Sequence, residues 1–353
     1  MTIRLNLARG FQFDYNLLFL IKTFSVLNIM TPNIVGTDIS KDKFDAALLS
    51  AEGKYRHKKF ANSLAGFTAF VAWLLSFGGD KPLIGMEATG AYSIPLADFL
   101  VGQGYSVSVI NPARIHAFAR TELSRAKTDK ADAKLIARFM LEKKPPPWNP
   151  PPANIRELQA MLRRIEHLLE MRQMEQNRLD TAAPSVADSI RTILESLDSE
   201  LKATRERIRQ HIDNDPDLRR RQDLLESIPG IGEATSAHLL VALSEHYGFD
   251  NAKQAVAHAG LAPKLSESGK WVGQTRLSKT GAPMLRKALY MPALVAWRHN
   301  PAVRTFCQRL KANGKNGKAI ACAAMRKLVH IAFGVLKSGK KFDLNFRETD
   351  VSI

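Results

Sequence analysis

At 353 residues the chain has room for two or three domains and a substantial core, and 45% hydrophobic with 24% charged residues is the make-up of an ordinary globular protein. The formal net charge of +17 and a pI near 9.9 point to a polyanionic partner, nucleic acid before a membrane surface. Cys307 and Cys322 stand without a CxxC pair, which argues against a disulfide framework or a zinc site and suits a reducing cytoplasm.

Along the chain, FQFDYNLLFLIKTFSVLNIM invites an anchor reading, yet Asp14 and Lys22 interrupt it and no small-residue cleavage site follows. Three readings of residues 1–29 stay open: an upstream extension from a misplaced start codon, with Met30 as the natural start; a dispensable helix; and a membrane segment. The first is preferred. From Asn33, NIVGTDIS, DAALLSA and YRHKKFAN read as three short strands joined by tight polar turns. A helix is expected from Ser63 to about Phe77, then a buried strand in KPLIGMEA. AYSIPLADFLVGQG reads as a helix closed by Gly104, and YSVSVIN as a strand ending at Asn111 and Pro112. A hairpin-led sheet that then alternates with helices implies an α/β domain with a mixed sheet.

Asp38 ends the apolar first strand and Glu87 the apolar fourth. A carboxylate at the end of a buried strand is unfavourable without a partner. In AKTDKADAKLIARFMLEK, Asp129 and Asp132 are three apart at the start of an amphipathic helix, which stacks them on one face. Taken alone, two acids in a first helical turn only complement the exposed amides. Taken with Asp38 and Glu87 they form a candidate tetrad, and four converging carboxylates are best relieved by a pair of divalent cations. Such a pair is what two-metal phosphoryl transfer uses.

KKPPPWNPPP cannot continue a helix and reads as a stiff connector, placing the domain boundary near residues 144–152 with Trp148 packed against a neighbour. In residues 153–213 the stripes Ile155, Leu158, Leu162, Ile165, Leu169 and Val186, Ile190, Ile193, Leu197, Leu201 step by three and four, broken at Pro184. They describe a helical hairpin that either closes on itself or self-associates as a coiled coil, the latter preferred. LLESIPGIGEATSAHLLVAL matches a helix-hairpin-helix turn in which Gly230 and Gly232 let backbone amides approach a phosphate. Residues 251–353 carry 19 Lys or Arg against 4 Asp or Glu, so most of the positive charge lies there. Lys264, Lys270, Arg276, Lys279, Arg286 and Lys287 are the candidate nucleic-acid contacts, to the backbone rather than to bases. ANGKNGKA is not a P-loop, and the histidines show no paired metal-ligand spacing. AIACAAMRKLVHIAFGVLK reads as an amphipathic core helix.

GTDISK, MEATGAY and KTDKADA, in this order and spacing, resemble the N-terminal DEDD domain of insertion-sequence transposases, whose catalytic domain has the ribonuclease H fold of the RuvC resolvases. The resemblance runs from about Met30 to the end. It implies an RNase H-like domain over residues 30–144, a proline linker over 145–152, a coiled-coil hairpin over 153–216, and a mostly helical domain over 217–345 before a short tail at 346–353. Carried over, it makes Asp38, Glu87, Asp129 and Asp132 the ligands of two Mg2+ ions, or Mn2+. It also makes Ser268, within AGLAPKLSESGKWVGQTRLSKTGAPMLRKAL, the nucleophilic serine, with Ser266 and Ser278 as alternatives. The implied protein is a cytoplasmic, nucleoid-associated DNA recombinase guided by a structured bridge RNA. It acts on double-stranded DNA as a dimer or tetramer, without a membrane, and its composite site joins acids of one protomer to the serine of another. A Holliday-junction-type endonuclease and a non-catalytic nucleic-acid-binding protein are the alternatives.

Overall fold

The computed structural model describes residues 33–122, 128–264, 267–268, 271–272, 276–278 and 280–343. The chain divides into two compact units between Trp148 and Asn149, inside the proline run.

In the first unit the tight turns after Ile39 and Leu49, where Ser40 N–H donates to the Lys43 carbonyl and Ser50 N–H to that of Lys54, fold three strands into an antiparallel meander. These are β1 (Ile34–Ile39), β2 (Lys43–Leu49) and β3 (Tyr55–Ala61). Helix α1 (Leu64–Leu75) starts at Ser63, whose hydroxyl accepts the Gly66 amide. It carries the chain over to β4 (Leu83–Glu87), and α2 (Ile94–Gly102) carries it on to β5 (Val107–Ile110). Parallel pairing needs such crossovers, and β4 lies parallel to β1 and β5 parallel to β4, giving the order β3-β2-β1-β4-β5. The unit is thus a mixed α/β domain with the five strands the sequence indicates.

Alternation assigns the two faces. On one, Val35, Ile39, Phe44, Ala46, Leu48 and Phe60 meet Phe67, Phe70 and Leu74 of α1 and Leu96, Ala97 and Leu100 of α2. Phe44 stacks on Phe60 at 5.4 Å and meets Phe70 edge-on at 5.3 Å. Each such aromatic contributes about 1.5–3 kcal/mol by burial. The other face is covered by α3 (Pro112–Thr121) and α4 (Asp129–Lys143), through Ile115, Phe118, Ile136, Ala137, Phe139 and Met140. Helix α3 was not expected. Its signal was Asn111-Pro112, an N-cap whose carbonyl oxygen accepts the Ala113 amide at 2.8 Å, followed by proline at the first helical position.

Two glycines let α4 settle onto this face. A Cβ on Gly36 would overlap the Ala133 carbonyl oxygen and the Ala137 amide of α4, and one on Gly85 would overlap the Met140 side chain. Lys144, in the left-handed region at φ 41°, ends the helix. The first half of the proline run then stitches to the sheet edge. Ser108 Oγ donates to the carbonyls of Pro145 and Pro146, Trp148 N–H donates to Val107 O at 2.7 Å, and the indole packs on the sheet core.

The second unit opens with α5 (Ala153–Leu179) and α6 (Pro184–Asp213). They run antiparallel: His211 reaches the Asn154 carbonyl near one end, and Arg172 grips Asp198 with two nitrogens further along. The seam keeps Ile155, Leu158, Leu162 and Leu201 of the stripes read from the sequence and departs from the rest. Ala187, Leu194, Leu201 and Ile208, spaced by seven, are buried, whereas Val186 and Ile193 are exposed and Ile190 and Leu197 half-exposed. On α5 it is Leu168 rather than Leu169 that is fully buried. A helix with apolar residues on two adjoining ridges leaves the choice of inward ridge to the partner helix, which periodicity does not specify.

Beyond the hairpin come α7 (Pro216–Glu226), α8 (Glu233–Ala242), α9 (Ala252–His258), α10 (Pro283–His299), α11 (Pro301–Ala312) and α12 (Gly317–Ser338). Between α9 and α10 lie two short ribbons, β6 (Pro263–Lys264) with β9 (Arg276–Leu277) and β7 (Glu267–Ser268) with β8 (Trp271–Val272). Among the described residues α12 is long and apolar enough to cross a membrane. Here Ile320, Ala324, Leu328, Val329 and Ala332 of that helix are buried in the core of the unit. Cys307 is buried and Cys322 half-buried, both as free thiols.

Gly36→Ala should lower the stability of the first unit by about 1–3 kcal/mol, because backbone must yield. Gly85→Ala should cost less, because the flexible Met140 can move aside. Urea unfolding midpoints of the two variants, read by tryptophan fluorescence, check the order.

Candidate active site

The two glycines and two of the acids share a spacing, Gly36-Thr37-Asp38 on β1 and Gly85-Met86-Glu87 on β4. Two residues along a strand return to the same face. The glycine therefore admits α4, and the acid two positions on emerges on the helix side at the strand end. β1 and β4 are adjacent and parallel, with Thr37 opposite Met86, so Asp38 and Glu87 are neighbours. The Thr37 side chain, on the reverse face, donates to Gly85 O at 3.2 Å and ties the two strands at this level.

Helix α4 delivers the other pair. Thr128 Oγ1 caps its start by accepting the Ala131 amide, which places Asp129 and Asp132 in the first turn. Asp38 feels the charge of the other three acids. Burial, followed by the charges of Asp132, Asp129 and Glu87 and the more modest push of Asp45, raises the Asp38 pKa to about 6. Asp129 moves the other way, its carboxyl held below the usual range by a hydrogen bond and ion pair from Lys43 Nζ at 3.0 Å.

Among the described residues no three Asp, Glu, His or Cys side chains are gathered as a ready-made metal cage. Asp129 is turned onto the ammonium group of Lys43. Hard carboxylate oxygens on strand ends and a helix start nonetheless suit Mg2+ or Mn2+. Asp38 is pushed up chiefly by its burial, and Lys43 supplies the positive charge beside Asp129.

Three residues beside the tetrad escaped the sequence reading. Asp45 on β2 lies directly across from Asp38 and is only 1% exposed. Its carboxylate is met by His57 Nε2 at 2.7 Å and Lys59 Nζ at 3.8 Å, both from β3. The signal was a hairpin register, because a turn of Ser40 to Asp42 places position 45 opposite position 38.

In the second unit Ser268 lies in β7, paired in register with Trp271. Ser266, Lys270 and Lys279 lie outside the described residues. Ser278 is half-buried, and its amide donates to Ala262 O. Lys264 and Arg276 are cross-strand partners in the β6–β9 ribbon and both are exposed. Arg286 and Lys287 are engaged within the protein, the first donating to Ala259 O at 3.1 Å and the second paired with Glu166. In the helix-hairpin-helix segment Gly230 has φ 103°, and a Cβ there would meet Ala296 of α10, so packing accounts for that glycine. Gly232 caps α8 without a side-chain bond and faces open space, while Glu233 of the first turn is gripped by Arg209 through two nitrogens.

The first unit is an α/β domain with acids at the ends of adjacent parallel strands, and a basic, mostly helical unit follows it. Comparison with known proteins finds matches along most of the chain. A family model for DEDD transposases matches residues 35–186, and one for the transposase IS116/IS110/IS902 family matches residues 222–308. The chain is 34% identical over 323 residues to the pilin gene-inverting protein of Moraxella bovis, covering 90% of this chain and 100% of that one. The pilin gene-inverting protein of Moraxella lacunata is 33% identical over the same length. An uncharacterized 43.6 kDa protein of insertion element IS110 from Streptomyces coelicolor is 27% identical over 165 residues, 47% of this chain and 39% of that one. The chain belongs to the IS110 family of transposases.

Because folding raises the Asp38 pKa from 3.8 to about 6, the folded state binds this proton more tightly than the unfolded chain. The stabilisation associated with it is full below about pH 4 and is lost as pH rises through about 6. Asp38→Asn should therefore melt above the parent at pH 7 in chelator, with the gap closing toward pH 4. Melting curves across that range check it.

Proposed function

We propose that this transposase excises and inserts its mobile element by metal-dependent, serine-assisted phosphoryl transfer, with target choice supplied by a structured guide RNA. The observation that supports the reading is placement: Asp38 and Glu87 end adjacent parallel strands, and the helix packed on those strands carries Asp129 and Asp132 in its first turn. Those four carboxylates would hold two Mg2+ ions, or Mn2+. When bound, the ions supply Lewis-acid polarisation of the scissile phosphate and stabilise the entering and departing oxygens. The chain's own residues prepare this. Gly36 and Gly85 let α4 settle onto the sheet, Thr128 caps its first turn, and Lys43 pairs with Asp129.

The RNase H-like, RuvC-like reading of the first unit is supported by the order β3-β2-β1-β4-β5 with acids on the central strand and its parallel neighbour. In the second unit Ser268 is the nucleophile. Its Oγ bonds to a DNA phosphorus as the phosphorus–oxygen bond to one deoxyribose breaks, and the serine proton ends on the departing hydroxyl. Lys264 and Arg276, both exposed, supply positive charge for the DNA and RNA backbones. The exposed ridge of Val186 and Ile193, with Ile190 and Leu197, supports a coiled-coil contact with a second copy. Gene inversion, the activity in the name of the Moraxella relatives, is a strand exchange of the same kind. The reaction belongs in the cytoplasm, at the nucleoid.

Ser268→Ala and Asp38→Asn should each reduce strand joining below detection in a plasmid excision assay, with duplex DNA binding by fluorescence anisotropy unchanged. Continued recombination by Ser268→Ala would transfer the role to Ser278 or Ser266. DNA cleavage without joining in that variant would favour a water-using, junction-resolving endonuclease.

A further inference from the structure

Asp38, Asp45 and Lys59 form one cross-strand row over β1, β2 and β3. Strands are about 4.8 Å apart, so the row spans about 10 Å of the face that α4 partly covers. Lys43 is two residues from Asp45 and returns to the same face, where it bonds Asp129. We propose that Lys43 and Lys59 form a phosphate-binding pair that seats the backbone of a nucleic-acid strand beside the acidic tetrad. This positioning role rests on the strand-transfer reading above.

Burying Asp45 next to an already crowded Asp38 is unfavourable unless the group is held and used. It is held by His57 Nε2 at 2.7 Å and faces the Lys59 ammonium at 3.8 Å, which draws that group toward the row while 57% of the lysine side chain stays exposed. Lys43 is likewise anchored, by Asp129, and 49% exposed. Each ammonium group therefore has a defined position and an open side. The remaining basic residues of Arg56-His57-Lys58-Lys59 show the contrast. Arg56 and Lys58 point to the reverse face, where they lie over the rings of Phe77 at 5.3 Å and Phe60 at 5.5 Å. A polyanion approaching four carboxylates meets repulsion, and cations flanking its path offset it.

The test is lysine footprinting of the full chain in magnesium, with and without a labelled random-sequence DNA duplex. Reductive methylation of each lysine is read by mass spectrometry. DNA should slow modification of Lys43 and Lys59 several-fold and leave Lys58, on the same strand but the opposite face, unchanged. In parallel, the Lys43→Met/Lys59→Met double variant should bind the duplex with a log K against log salt slope shallower by about 2. Lys58→Met should keep the parental slope, and Lys43→Arg/Lys59→Arg should restore it. Equal reactivity of all three lysines in the complex, or a double-variant slope equal to that of Lys58→Met, overturns the proposal. Strand joining by Asp38→Asn separates the two ideas. If that variant fails to join strands while the lysines stay unprotected, the phosphate pair falls and the strand-transfer reading stands; joining by that variant removes the reading itself.

Discussion

Two backbone positions, Gly36 and Gly85, set how near α4 lies to the sheet, and the site depends on that distance. A β-carbon at Gly36 would strike helix backbone and hold the helix off, whereas one at Gly85 would press on the flexible Met140 side chain. The same close approach that buries Ile136, Ala137 and Met140 against the strands brings Asp129 and Asp132 within electrostatic reach of Asp38 at the end of β1. Packing and chemistry are therefore one constraint. Apolar burial along the body of α4 holds its acidic first turn where charge alone would push it away.

The electrostatics follow from that enforced crowding. Asp38 carries the strain as a raised pKa, whereas Asp129 escapes it by pairing with Lys43. Asp45 is a fifth acid in the same region, stabilised by His57 and Lys59 rather than by solvent. A sheet face thus grades from acids at its centre to lysines at its edge. This is a charge pattern suited to a phosphate chain with its reactive centre at the inner end.

The second unit is organised by helix packing, with long helices whose register is chosen by tertiary contacts. The seven-residue spacing of Ala187, Leu194, Leu201 and Ile208 buries one ridge of α6 and leaves a second ridge of apolar side chains at the surface. Gly230 illustrates how a motif is shared between uses. Its left-handed conformation and its contact with Ala296 are demanded by packing against α10, whereas Gly232, next but one, leaves the start of α8 open.

Several features were settled by local chemistry and so were legible in the amino-acid order. Alternating apolar residues marked the strands, acids were placed at the ends of β1 and β4 and in the first turn of α4, and proline density marked the division near Trp148. Asn111-Pro112 marked α3 just as locally, although it was passed over. What tertiary structure decided was non-local. The cross-strand row that sets Asp45 and Lys59 beside Asp38 depends on hairpin register, and a shift of one residue would turn those side chains to the other face. The inward ridge of α6 depends on which face α5 offers. The engagement of Lys287 by Glu166 depends on two helices 121 residues apart in sequence being packed together. Periodicity identifies a face, but only a partner on that face determines whether a residue there is seam, ligand or surface.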